Sequence, residues 1–142
     1  MSDQPESQAM KPKKLCLVVD DSATVRRVAG KILRSLEMDV DEACDGQIAL
    51  QKCMCSMPDA ILLDWNMPVM NGIEFLRTLR QLEGGKYPRV VFCTTNAEVE
   101  HLRQAFDAGA DEYIMKPFDA ATLESKVLSN VRSEARTCPS HA

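Results

Sequence analysis

Four short runs of consecutive apolar residues set the strongest limit on what this chain can fold into: "LCLVV" at 15–19, "AILL" at 60–63, "VVFC" at 90–93 and "YIM" at 113–115. None of them alternates apolar with polar residues. A strand with one wet face reads with period two. A strand covered on both faces reads as an unbroken hydrophobic run, which is the pattern of parallel sheets. A weaker segment, "MDVDEAC" at 38–44, mixes acidic and apolar residues and suits an edge strand.

Helical spacing fills the gaps between these runs. Val25, Val28, Ala29, Ile32 and Leu36 follow the first, with Ser22 placed to cap the helix. Ala49, Leu50, Cys53, Met54 and Met57 follow the second and stop at Pro58. Phe75, Leu76, Leu79 and Leu82 follow the third and stop at Gly84 and Gly85. Val99, Leu102 and Phe106 follow the fourth and close at Gly109. Leu123, Val127, Leu128 and Val131 follow the fifth. Strand and helix therefore alternate five times. That alternation predicts an α/β fold: a doubly wound, five-stranded parallel sheet with five helices on its two faces and right-handed crossovers.

Length and charge narrow the function. The chain has 142 residues, the size of one domain, and 45% hydrophobic residues, enough for a core. Its formal net charge of −4 argues against a nucleic-acid surface, which is normally basic. No apolar run approaches the roughly 18 residues of a membrane span. The N-terminal "MSDQPESQAMKPKK" lacks the apolar centre of a signal peptide, so a cytoplasmic protein is expected. Residues 1–13 are expected to be a disordered lead-in and 133–142, "SEARTCPSHA", a frayed tail, leaving one domain over 14–132.

Of six cysteines, Cys16 and Cys93 lie in strand-like runs and read as small hydrophobes. Cys53 and Cys55 are spaced Cys-x-Cys rather than Cys-x-x-Cys, with no second pair at zinc spacing, which favours packing over a metal or redox site. Cys138, in the tail, reads as a free thiol. Without a secretory signal, disulfides are not expected.

In doubly wound sheets, ligands bind beyond the carboxyl ends of the strands. There the first strand ends in Asp20 and Asp21, the third in Asp64, the fourth in Thr94 and Thr95, and the fifth in Lys116 and Pro117. Any one of these is an ordinary polar strand end, since Asp favours turns. As a set they bring three carboxylates, two hydroxyls and an ammonium to one rim. Three carboxylates at close range resist full ionisation unless a cation joins them. Magnesium suits such a place, because it takes carboxylates, waters and a phosphate oxygen. A lysine and a threonine across the rim supply a positive charge and a donor for phosphoryl oxygens. These are the parts of phosphoryl transfer, with Asp64, on the expected central strand, as the nucleophile.

Four motifs, "VVDDS" (18–22), "LLDWNMPVMNG" (62–72), "FCTTN" (92–96) and "EYIMKPF" (112–118), together resemble the receiver domain of two-component response regulators. The likeness covers about 14–132. "DWNMP" and Tyr113, three residues before the lysine, make it most similar to stand-alone chemotaxis-type receivers, the CheY-like group. The resemblance implies a flavodoxin-like strand order of 2-1-3-4-5. It implies that Asp64 accepts a phosphoryl group from a histidine kinase or histidine phosphotransferase. Asp21 and Asp64 would ligate Mg2+ directly with the backbone carbonyl of Asn66, and Asp20 would hold a metal-bound water. Lys116 would pair with the phosphoryl group, and its bond to Pro117 would be cis. Asn66 and Asn96 would tune dephosphorylation.

The resemblance further assigns Thr94 and Tyr113 to a switch. Thr94 would bond the new phosphoryl group and pull the following loop, and Tyr113 would turn inward. The face of the fourth helix, fifth strand and fifth helix would then present differently to a target protein. Many family members carry Ala or Ser where this chain has Thr95, whose branched side chain would hinder Tyr113. An ordinary half-buried aromatic remains the alternative for Tyr113.

Rival classes fit less well. A haloacid-dehalogenase-type phosphatase needs Asp-x-Asp-x-Thr after the first strand and a cap; here that place reads "DDSAT". A nucleotide-binding module needs G-x-G-x-x-G or a Walker sequence, and the chain has neither. A degenerate receiver signalling by contacts alone is disfavoured because every acidic and basic site residue is present. With no recognisable output domain after 132, the output is expected to be protein contact or phosphoryl passage by a monomer. Motor-switch binding, a phosphate sink, a relay and an adaptor all remain open.

Overall fold

The computed structural model describes residues 13–96 and 98–137, with side chains described through residue 128. Its strands are β1 (Leu15–Val19), β2 (Asp39–Ala43), β3 (Ala60–Asp64), β4 (Arg89–Thr94) and β5 (Glu112–Met115). They form one sheet in the order β2-β1-β3-β4-β5, and every neighbouring pair is parallel. The helices are α1 (Ala23–Ser35), α2 (Gly46–Cys55), α3 (Gly72–Gln81), α4 (Val99–Ala108) and α5 (Ala120–Thr137). The doubly wound arrangement is the one expected from the periodicity, and the strand order is the one the resemblance implied.

Strand pleating divides the apolar runs between two cores. Leu17, Val19, Ile61, Leu63, Val90 and Phe92 face α2, α3 and α4 and pack with Ala49, Phe75, Leu76, Leu79, Ala105 and Ala108. The alternate residues Cys16, Val18, Leu62, Val91, Cys93 and Ile114 face α1 and α5 and pack with Ala29, Leu33, Leu123 and Val127. Burial on both faces is why these strands read as unbroken hydrophobic runs. β2 lies at the sheet edge and keeps Asp39 exposed, as its mixed composition required.

Register sets the site. Val19 lies opposite Leu63, Leu63 opposite Phe92, Asp64 opposite Cys93 and Thr94 opposite Met115. Asp20, Asp64, Thr94 and Lys116 therefore end neighbouring strands at nearly one level. The opposite rim is tied by Arg80, which donates to the carbonyls of Gly85, Pro88 and Gly109 and pairs with Asp111 at 3.0 Å.

Helix starts follow their capping chemistry. The Ser22 hydroxyl accepts from the Val25 N–H, and the Asp45 carboxylate from the Ile48 N–H. Asn71 and Glu74 form a reciprocal capping box for α3. Gly109 ends α4 at φ +114, in the left-handed region glycine tolerates.

Four apolar residues assigned to helix stripes are instead exposed: Val28, Met54, Val99 and Phe106. In α4 the residues against the sheet are Ala105 and Ala108, whose small size lets the helix ride close and leaves Val99 and Phe106 facing outward. The last helix also continues to Thr137, beyond residue 132 where the domain was expected to end. "SEARTC" holds no helix breaker before Pro139, and a residue preceding proline is driven out of helical geometry. Residues 1–12 of the lead-in and 138–142 of the tail, Cys138 included, lie outside the described residues.

Gly72 begins α3 directly beneath the site. A Cβ there would lie 2.4 Å from the Asp64 carbonyl oxygen and 2.8 Å from the Phe92 ring. Gly72→Ala is expected to destabilise the fold by about 1–3 kcal/mol, as overpacking of a filled core does, measured by urea unfolding.

Candidate functional site

β1 and β3 are central strands buried on both faces, so the residues that end them leave the core at a fixed place and height. Asp20 is 2% exposed and Asp64 7%, whereas Asp21, one residue on, faces solvent. The three carboxylates offer oxygens that all lie within 4.8 Å of one another. Lys116 directly follows β5, and its bond to Pro117 is cis, as the resemblance implied. Its Nζ donates to Asp20 Oδ2 and to Asp64 Oδ1, each at 3.1 Å.

Burial pushes the Asp64 carboxyl above the usual range, and the neighbouring charge of Asp20 adds to this. The hydrogen bond and charge of Lys116 pull the other way without cancelling the rise. For Lys116, burial works against the ammonium, but its bonds to Asp20 and Asp64 outweigh that and raise its pKa. The carboxylate crowding expected from the sequence is thus real, and Lys116 partly relieves it.

The supporting contacts are local and specific. Asp20 Oδ1 accepts from the Ser22 N–H at 2.9 Å, and its carbonyl accepts from Arg26 Nη1 at 2.8 Å. Arg26 in turn pairs with Glu42 on β2 at 2.9 Å. The loop after Asp64 closes where the Gly72 N–H donates to the Trp65 carbonyl. Within it Asn66 is exposed, and Val69 holds φ +71, a left-handed geometry that costs a branched residue on the order of 1–2 kcal/mol.

Thr94 is 5% exposed. Its Oγ1 accepts from the Asn96 N–H at 2.9 Å and lies 3.2 Å from the Asn96 carbonyl and 3.3 Å from His101 Nε2. The Asn96 side chain is engaged too, its Oδ1 accepting from the Glu98 N–H. Tyr113 is half-buried on β5, meets Phe106 edge to face, and has Lys126 Nζ 5.2 Å from its ring centroid. Thr95 is exposed and lines a recess of about 370 Å³ with Val25, Val28, Lys116 and Phe118.

Asp20, Asp21, Asp64 and Lys116 therefore converge as the sequence suggested, with Thr94 at the same rim, Asn66 and Asn96 on the loops beside it, and Tyr113 on β5. Sequence reasoning missed Trp65 and His101, whose rings stack with centroids 3.5 Å apart, and the role of Gly72. Trp65 was legible only as the neighbour of Asp64. His101 carried no signal, because its position depends on the path of the loop after β4. Cys16, Cys53 and Cys93 are buried and free and behave as small hydrophobes, and burial pushes the Cys16 and Cys93 thiols up to about 12, whereas Cys44 and Cys55 are exposed and Cys55 does not pack.

The oxygen-rich donor set of Asp20, Asp21 and Asp64, with one carboxyl resisting ionisation, fits a hard divalent cation such as magnesium. Among the described residues no helix is long and apolar enough to cross a membrane.

A family model described as the response regulator receiver domain matches residues 16–128. The chain belongs to that family, the signalling receivers of two-component systems. Among its relatives is "Chemotaxis protein CheY-3" of Vibrio cholerae, 41% identical over 112 residues, which span 78% of this chain and 86% of that protein. "Chemotaxis protein CheY" of Pseudomonas aeruginosa is 38% identical over 78% of this chain and 90% of its own length. The solved structure of chemotaxis response regulator CheY4 of Vibrio cholerae superposes with a TM-score of 0.78 at 33% identity, over 84% of this chain and 99% of that one. The protein is a CheY-like receiver of the response regulator family.

Without a divalent cation, Asp64→Asn is expected to raise the melting temperature at pH 7 by a few degrees, because it removes a carboxylate that is costly to ionise. The sign follows from linkage. The folded pKa is raised, so the contribution of Asp64 is fully present below its unfolded value of about 4 and is lost as pH rises through the folded value. The advantage of Asn over Asp should accordingly shrink toward pH 4 in a calorimetric series.

Proposed function

We propose that Asp64 is the phosphoacceptor of this receiver, with Lys116 and Thr94 as its partners in transfer and readout. The observation that carries the reading is the Lys116 ammonium held 3.1 Å from both Asp20 and Asp64 at the carboxyl ends of β1 and β3. A carboxylate oxygen of Asp64 attacks phosphorus. A new P–O bond forms as the bond from phosphorus to the donor imidazole of a histidine kinase or phosphotransferase breaks. Lys116, already positioned, exchanges part of its pairing with Asp64 for a phosphoryl oxygen, so little reorganisation is needed at the moment of transfer.

Asp21 and Asp64, with the Asn66 backbone carbonyl, would hold magnesium directly, and Asp20 through a water. When bound, the ion neutralises the clustered carboxylates and screens the charge of the phosphoryl oxygens. Asn66 and Asn96 flank the pocket as the groups that tune hydrolysis of the acyl phosphate.

Phosphorylation adds about −1.5 to −2 of charge at Asp64 and shifts an existing equilibrium rather than building a new fold. Thr94 donates to a phosphoryl oxygen and draws the loop after β4 with it. Tyr113 follows, with Thr95 limiting how far. The responding face is α4–β5–α5, where Val99, Phe106 and Met115 are exposed and Phe106 meets the Tyr113 ring. A target protein docking there is the output of a monomeric, cytoplasmic regulator. The names of the relatives favour a chemotaxis-type output over a sink, relay or adaptor.

Wild-type protein incubated with magnesium and labelled acetyl phosphate should incorporate label, and Asp64→Asn should lose at least about 100-fold of it. Label retained by Asp64→Asn would place the nucleophile elsewhere. Thr94→Ala should still take label but lose most of the beryllofluoride-induced amide shifts along α4 and β5 in heteronuclear NMR. Shifts of wild-type size in that variant would remove Thr94 from the switch.

A further inference from the structure

The hydroxyl that reads out Asp64 is not free to move in the resting molecule. Thr94 Oγ1 has one proton to give and two lone pairs with which to accept. It accepts the Asn96 N–H at 2.9 Å and faces the Asn96 carbonyl at 3.2 Å and His101 Nε2 at 3.3 Å. If Nε2 carries a proton, the hydroxyl is saturated: two bonds accepted, one donated to Asn96. If Nε2 is bare, the imidazole competes for the hydroxyl proton. In both tautomers Thr94 must give up a partner on this side before it can donate to a phosphoryl oxygen.

His101 is itself held. It sits in the first turn of α4, and its ring stacks on Trp65 at 3.5 Å with an interplanar angle of 18°. Trp65 directly follows Asp64 in the chain and leans on Phe92 of β4 at 4.8 Å. Glu98 at the N-cap of α4 makes no side-chain capping bond, so the two contacts of His101 tie this turn to the sheet.

We propose that His101 is a positioning residue of the switch. Its imidazole, clamped on Trp65, holds the Thr94 hydroxyl in the unphosphorylated arrangement and thereby sets the resting bias against the switched state. The proposal rests on the reading of Asp64 as phosphoacceptor and Thr94 as its reporter, and deepens it. It links the residue beside the phosphoacceptor to the first turn of the helix on the responding face. A ligand that needs the switched state binds more weakly in proportion to how rarely the resting protein visits it. Removing the bond that favours the resting state therefore tightens such a ligand. A single hydrogen bond of this kind corresponds to about a two- to tenfold change.

The test is a beryllofluoride titration of the intact chain in magnesium, followed by the emission of Trp65, the single tryptophan. The midpoint, not the amplitude, is read, because substitution beside Trp65 changes its brightness. His101→Phe keeps a flat ring against Trp65 but lacks the ring nitrogen, and its midpoint should fall about two- to tenfold below that of wild type. His101→Gln, whose amide can still donate to Thr94, should return the midpoint toward wild type. In a Thr94→Ala background the His101→Phe effect should vanish, since the two changes act on one bond. Thermal unfolding checks that each variant folds, and His101→Leu serves if the Phe variant does not. A responsive wild type with unchanged midpoints in His101→Phe and His101→Leu would overturn the role of His101 while leaving the site intact. A wild type without any magnesium-dependent response would overturn the reading of the site, and this inference with it.

Discussion

The ammonium of Lys116 lies between two carboxylates that the sheet forces together. β1 and β3 are neighbours buried on both faces, so Asp20 and Asp64 leave the core side by side, nearly without water. Two such charges repel, and burial raises the pKa of Asp64. A cation has to stand there. Lys116, brought across the sheet from β5, does so at 3.1 Å from each. In the function proposed above, the same crowding would be relieved further by a divalent cation, and Lys116 would share the charge of a phosphoryl group.

Around this pocket the fold separates rigid parts from movable ones. The strands and their two cores hold Asp20, Asp64 and Lys116 in register, and the opposite rim is locked by the four partners of Arg80. The loop after β4 is held more lightly. Thr94 bonds Asn96 and lies 3.3 Å from His101 there, and α4 meets the sheet chiefly through the small side chains Ala105 and Ala108.

Much of this was legible in the residues. Unbroken runs such as "VVFC" mark strands covered on both faces, and the polar residues ending them fall on one rim because parallel strands share a direction. Asp20, Asp21, Asp64, Thr94 and Lys116 could be named on that basis. The outward turn of Val99 and Phe106 could not, because helical periodicity identifies a stripe but not which of its members the neighbouring sheet accepts. Nor could the end of α5, whose sequence lacks a stop before Pro139, or the place of His101, which depends on a loop too short and polar to carry a pattern.

The sequence by itself determined the alternation of strands and helices, the two-faced burial of the sheet and the set of charged groups at its carboxyl end, because these depend on local periodicity and on which residues can leave a core. Only the tertiary structure decided that Lys116 bridges Asp20 and Asp64, that Gly72 must lack a side chain beneath Asp64, and that Trp65 and His101 stack beside Thr94. Those contacts join residues up to 96 positions apart. They depend on strand register and on the close approach of loops, neither of which is written in any short stretch of residues.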